Sequence, residues 1–159
     1  MKNEYLSCLR RPPQAQAVIR GSEKYPDIFG VATFWQMRNG VMILTEVTGL
    51  PMGERCREPI FAYHIHAGGA CTGYADDPFA DADGHYNPDG CPHPYHAGDM
   101  PPLFGAAGRA FSMFFTDRIT VGDVIGRSVV IHASPDDFTT QPAGNAGEKI
   151  ACGVIMKKR

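Results

Sequence analysis

The chain has no stretch approaching the ~18 consecutive apolar residues that a membrane-spanning helix needs, which excludes a helical membrane protein. It also lacks a dominant charge: 15 Lys and Arg stand against 17 Asp and Glu, a net charge of -2. That balance speaks against a nucleic-acid scaffold and for a small partner. Residues 1–15 carry charges and prolines where an export signal would be greasy, so the cytoplasm is the expected compartment, with an exported mature form as the alternative. Cysteine is sparse and odd in number: Cys8, Cys56, Cys71, Cys91 and Cys152 allow at most two pairs, too few for a small disulfide scaffold. Phosphate-cradling and dinucleotide glycine motifs are absent, as is a Gly-x-Ser-x-Gly elbow, which leaves nucleotide and serine-hydrolase chemistry without support.

What is present is one domain's worth of chain, 159 residues with 43% hydrophobic and 20% charged side chains, enough to bury a core and too apolar for disorder. Its 18 glycines and 13 prolines punctuate short runs of β-branched and aromatic residues, the pattern of strands joined by turns, and no long amphipathic helix is visible. Residues 30–37 and 41–48 flank Asn39-Gly40, the strongest short signal for a hairpin. Further strands are expected at 15–21, 60–66, 109–116, 127–132 and 149–156, spaced as in an antiparallel sandwich or barrel, so the fold class is all-β. Residues 67–108 break the pattern with eight Gly, six Pro and almost no alternation. Loops beyond ~15 residues usually carry a site. This one holds three of the six histidines, so a metal is expected to order it.

The histidines are His64, His66, His85, His93, His96 and His132. Strand alternation throws His64 and His66 to one face and Ile65 to the other, so the two imidazoles can share an ion. His93, His96 and Asp99 follow at three-residue intervals, supplying three of the four ligands of a tetrahedral zinc site, and His85 is available as the fourth. His132 ends a strand, opposite in face to Ile131. Imidazole-rich sites suit zinc and copper, and four nitrogens in a tetragonal set point to copper(II). A calcium loop built from Asp76, Asp77, Asp81, Asp83 and Asp89 fails: the alignment puts Phe79 at the first ligand position and Gly90 where the bidentate Glu belongs.

Taken together, the segments FAYHIHAGGACTG, GHYNP, HAGD, IGRSVVIH and GNAGEKIACGVI resemble the copper/zinc superoxide dismutase family, in the family's order, from about residue 15 to Ile155. The resemblance implies an eight-stranded antiparallel Greek-key β-barrel with long metal-binding loops over 15–159, leaving 1–14 as an N-terminal tail. It implies copper on His64, His66, His85 and His132, and zinc on His85, His93, His96 and Asp99, with His85 bridging and also acting in catalysis. It implies a disulfide between Cys71 and Cys152, and Asp136 as the acid that links a copper ligand to a zinc ligand. The implied reaction turns superoxide into dioxygen and hydrogen peroxide, with no nucleic-acid or membrane partner; a homodimer is among the assemblies the family builds.

Two departures from the family carry expectations. The arginine expected beside copper is Lys149 here. As a catalytic residue it keeps the charge that draws an anion in but lacks the planar donor pair of guanidinium, so turnover is expected to be reduced rather than abolished; otherwise it is a solvated residue at a strand start. The segment between His93 and His96 and the loop after Asp137 are short for the family, which predicts a more open channel. Cys91 reads as an accidental zinc ligand, a reactive thiol or an inert one, and Cys8 and Cys56 as free thiols. The rival functions are a dismutase-like protein that binds copper and zinc with little or no turnover, and a zinc hydrolase, which would need an open zinc position.

Overall fold

The computed structural model describes residues 4–57 and 59–159. Among the described residues nine strands form: β1 Ala15–Gly21, β2 Phe29–Met37, β3 Gly40–Thr48, β4 Ile60–Phe61, β5 Tyr63–His66, β6 Leu103–Phe104, β7 Arg109–Thr116, β8 Ser128–His132 and β9 Lys149–Lys157. Seven make one antiparallel sheet in the order β5-β8-β9-β1-β2-β3-β7, and β4 pairs with β6. Because β4 runs into β5 and β6 runs into β7, that short pairing joins the two edges of the curled sheet and closes a barrel. The all-β antiparallel barrel expected from the sequence is therefore present. The run 60–66 is split at Ala62, whose N–H donates to Ser134 and whose carbonyl accepts from His132. The two-residue β4 and β6 are too short to leave a periodic signal.

Alternation sorts each strand between an apolar interior and an outer face. Ala17, Ile19, Phe34, Ile43, Ile65 and Ile131 are among the fully buried side chains of the interior. Tyr63 is buried with them, and its hydroxyl shares a 2.9 Å hydrogen bond with Thr45 Oγ1. Burial pushes that phenol well above its usual pKa and keeps it neutral.

Residues 4–14, expected as a tail beyond the barrel, lie against it. Helix α1 (Glu4–Ser7) and a 3-10 turn at Cys8–Arg10 bury Cys8 with Trp35, Met37 and Met42, on the end of the outer sheet face where apolar residues are concentrated. Trp35 Nε1 donates to the Arg11 carbonyl at 3.0 Å, and Gln14 N–H to Phe34. The segment covers apolar surface that the β2–β3 hairpin would otherwise expose. A second short helix, α2 (Val121–Val124), begins with a capping box between Thr120 and Asp123. No described helix is long and apolar enough to cross a membrane.

The long segment after β5 is ordered from both ends. Its first part is stapled by the disulfide Cys71–Cys152 and by Phe79, which packs with Ala82 and Val130. Its second part lies along the free edge of β5: Ile65 N–H donates to Gly98, Tyr86 N–H to Ile65, and Ala67 N–H to Gly84. Gly98 is needed there, since a Cβ would stand 2.2 Å from the Ile65 carbonyl.

Candidate metal centre

Strand register gathers three of the histidines. His64 lies opposite Val130 and His66 opposite Ser128 in the β5–β8 ladder, and His132 continues the Ser128 and Val130 face of β8. A bulge between Ile131 and His132 then sets His132 across from Lys149 on β9. The segment lying along β5 brings the others: His85 forms an isolated bridge with His66, and Asp99 one with His64. Two groups result, His64, His66, His85, His132 and His85, His93, His96, Asp99, each with its candidate ligand atoms within 4.8 Å of one another. All the residues named from the sequence for the two ions fall in these groups, and His85 belongs to both. Cys91 falls in neither; its backbone is held by two 2.9 Å bonds to the Asn87 side chain.

The hydrogen bonds fix which imidazole nitrogens carry protons. His66 Nδ1 donates to the Asp83 carbonyl (2.6 Å) and His132 Nδ1 to the Gly147 carbonyl (3.2 Å), since a carbonyl can only accept. Their Nε2 atoms, 3.2 Å apart, are therefore two lone pairs aimed at each other. His64 Nε2 donates to Asp136 Oδ2 (2.7 Å) and His93 Nε2 to Asp136 Oδ1 (2.8 Å), leaving the Nδ1 of each buried without a hydrogen-bond partner. His93 Nδ1 faces Asp99 Oδ2 at 3.1 Å, again acceptor against acceptor. His85 Nδ1 lies 2.8 Å from Asp99 Oδ1 and 3.3 Å from His96 Nδ1, while its Nε2 is buried and unpartnered. Converging lone pairs without a proton between them are unfavourable unless a cation sits among them. The donor chemistry fits two: four nitrogens suit copper, and three nitrogens with a carboxylate suit zinc.

Electrostatics keep these groups ready to bind. Burial, reinforced by neighbouring imidazoles, holds His64 and His96 below the ordinary histidine pKa, His66 well below it, and His132 down to about 3, so all four stay neutral. Burial opposes the charge on Asp99 and Asp136. At Asp99 the opposing influences, led by the hydrogen bond with the His85 ring, outweigh it; bonds from His64, Phe138 N–H and His93 do so at Asp136, and both carboxyls end below their usual range.

Other residues hold the ligands, and no spacing rule pointed to them. The Gln141 side chain pairs with the His93 backbone, accepting from its N–H at 2.9 Å and donating to its carbonyl at 2.7 Å. Arg118 Nη1 donates to the carbonyls of Pro94 and His96. Asp83 presents its carbonyl to His66 from a backbone at φ 63°, ψ -158°, a costly conformation for a residue with a side chain. Gly144, at φ +68°, lies so close that a Cβ would fall 2.1 Å from Asp136 Oδ1 and 2.7 Å from His93 Nε2. A cleft of about 480 Å³ opens over His66, His85, His96 and His132, with Pro142 and Lys149 in its wall. Lys149 is not a free solvated lysine: its Nζ lies 2.6 Å from Asp77 Oδ2.

A family model described as copper/zinc superoxide dismutase matches residues 28–155. Among curated proteins, a copper/zinc superoxide dismutase of Aquifex aeolicus is 34% identical over 144 residues, covering 81% of this chain and 80% of that protein. One from Deinococcus radiodurans is 36% identical over 148 residues (81% and 78%), and one from Legionella pneumophila 33% over 138 residues (82% and 79%).

Proposed function

The chain belongs to the copper/zinc superoxide dismutase family, and from that premise we propose that His64, His66, His85 and His132 hold copper while His85, His93, His96 and Asp99 hold zinc. The protein is an oxidoreductase of copper and zinc that disproportionates superoxide. The observation carrying the ligand assignment is the set of buried lone pairs that meet without protons, above all His66 Nε2 against His132 Nε2 at 3.2 Å.

Copper held by His64, His66, His85 and His132 would supply the one-electron redox chemistry that disproportionates superoxide to dioxygen and hydrogen peroxide, and zinc held by His85, His93, His96 and Asp99 would be redox-silent. The chain's residues do the rest. His85 belongs to both groups, so serving both ions would cost it both ring protons. When Nε2 is free it is the atom at which a proton for the product is held. Asp136 fixes the tautomers of His64 and His93 together, since each of its oxygens accepts from one ring. Lys149 lends positive charge to the cleft wall, where an anion arrives.

The same reading favours the cytoplasm, with an exported mature form as the alternative; the disulfide, unusual in the cytoplasm, is buried at Cys152 and partly buried at Cys71. It also takes a homodimer as the assembly, with the neighbouring exposed Phe104 and Phe111 as apolar surface a second copy would cover. Cell fractionation and sedimentation equilibrium check these two points.

The decisive experiment loads the metal-free protein with zinc and then copper and measures metal content and superoxide removal on one sample. Equal copper and zinc with cyanide-sensitive turnover is expected. Full metal content without turnover would overturn the enzyme in favour of a metal-binding protein. Zinc without copper, together with ester hydrolysis, would revive the hydrolase.

A further inference from the structure

We propose that Asp77 governs how anions reach this cleft, holding the Lys149 ammonium in the cleft wall while cancelling most of its charge at a distance. The inference rests on the reading of the cleft given above. Lys149 begins β9 across from His132 and is the one lysine or arginine lining the cleft among the described residues. Its Nζ lies 2.6 Å from Asp77 Oδ2.

Asp77 is built into that position. Its backbone carbonyl accepts from Tyr74 N–H (2.8 Å) and Ala80 N–H (3.2 Å), and its Oδ1 accepts from Phe79 N–H (3.2 Å). The disulfide Cys71–Cys152 ties the same loop to β9, the strand that carries Lys149. The carboxylate is therefore fixed by a turn and a covalent staple rather than drawn in by the lysine alone.

The two ends of the pair face different ways. The ammonium side chain is 16% exposed and borders the cleft, whereas the carboxylate is 42% exposed and does not border it. Opposite charges this close form a dipole whose field fades quickly, and salt screens what remains beyond ~10 Å. A distant anion meets almost no net attraction, while an anion already inside the cleft meets the ammonium. The approach offers no substitute. The adjoining groove of about 750 Å³ also borders Lys149, with exposed Asp76 and Glu148 in its lining, and its other cation, Lys24, is paired with Glu148 at 2.7 Å. Asp77 thus acts as a positioning residue that sets recruitment through Lys149.

The test titrates azide into protein loaded with copper and zinc, followed by visible absorption, for the wild type, Asp77→Asn, Asp76→Asn, Lys149→Met and the double variant Asp77→Asn/Lys149→Met. Asp77→Asn should tighten azide binding about three-fold at low ionic strength, an advantage that shrinks as salt rises. Asp76→Asn removes the same unit of charge from an unpaired neighbour and should do less than half as much. In the Lys149→Met background the effect of Asp77→Asn should vanish. A metal-free readout accompanies these: acetylation of Lys149 by an amine-reactive reagent, followed by mass spectrometry, should speed up several-fold in Asp77→Asn. Weaker azide binding in Asp77→Asn, an effect equal to that of Asp76→Asn, persistence without Lys149, or an unchanged acetylation rate would each overturn the inference alone. A wild-type protein that binds no copper, and so shows no azide band, would overturn the ligand reading and this inference together.

Discussion

The two halves of the histidine cluster are held by different means. His64, His66 and His132 stand on β5 and β8, neighbouring strands of a seven-stranded sheet, and their spacing follows from strand register and the pleat. His85, His93, His96 and Asp99 lie in a glycine- and proline-rich segment without a ladder of its own, and side chains from elsewhere hold it: Asp136 and Gln141 on His93, Arg118 on the carbonyls of Pro94 and His96. A sheet-borne ligand is stabilised by the whole barrel, whereas a loop-borne one depends on a few polar bonds and on the ion it would bind. The strand side should therefore be preformed in the metal-free protein and the loop side should tighten on loading.

The largest expected effect comes from cutting the covalent tie between the two regions. Cys71 and Cys152 are 81 residues apart in sequence. Replacing both with serine should cost about 4.5 kcal/mol on the chain-entropy model, read by chemical denaturation under oxidising conditions. Hydrogen exchange should speed up around residues 71–82 far more than in β8. Equal loosening of both would erase the distinction between sheet and loop.

Acid comes next and should strike the strand side of the metal-free protein. His66 and His132 are held below their ordinary values by burial, His132 down to about 3. Between about 6.5, where histidine titrates in an unfolded chain, and the lowered folded values, the unfolded chain binds more protons. Stability should therefore be flat in this respect above about 6.5. It should fall as the pH drops below that, by up to about 1.4 kcal/mol per pH unit for each such histidine. Asp99 and Asp136, lowered in the fold, add to the loss at still lower pH. Denaturation of the metal-free protein from pH 7.5 to 4.5 measures the slope, which should be shallower in His132→Asn.

The smallest effect isolates the loop side. Gln141→Ala removes two hydrogen bonds to the His93 backbone, worth about 1–2 kcal/mol together. Zinc affinity should fall by about ten-fold with copper affinity little changed, measured by competition with a chromogenic chelator. A matching fall for copper would mean that the two halves are clamped as one unit.

How much of this could be read in the chain depends on the distance over which each interaction acts. Alternation is local, so β1 was legible to the residue and the Asn39-Gly40 turn marked the β2–β3 hairpin. The same period put His64 and His66 on one face, and the three-residue spacing of His93, His96 and Asp99 marked them as a group. The resemblance to the dismutase family supplied the bridge at His85, the acid at Asp136 and the Cys71–Cys152 pair, which spacing alone did not give. Gln141, Arg118 and Asp83 left no trace, because a glutamine bonding a peptide 48 residues away reads like any surface glutamine.

By itself the sequence determined the all-β class, the seven strands of the main sheet and the chemical type of the centre, since pleat, turn geometry and ligand softness are properties of residues and their near neighbours. Only the tertiary structure decided that β4 and β6 close the barrel, that residues 4–14 cover its apolar outer end, and that Lys149 meets Asp77. Each of those depends on where register and loop paths bring distant segments together, and many segments of similar composition could have filled the same places.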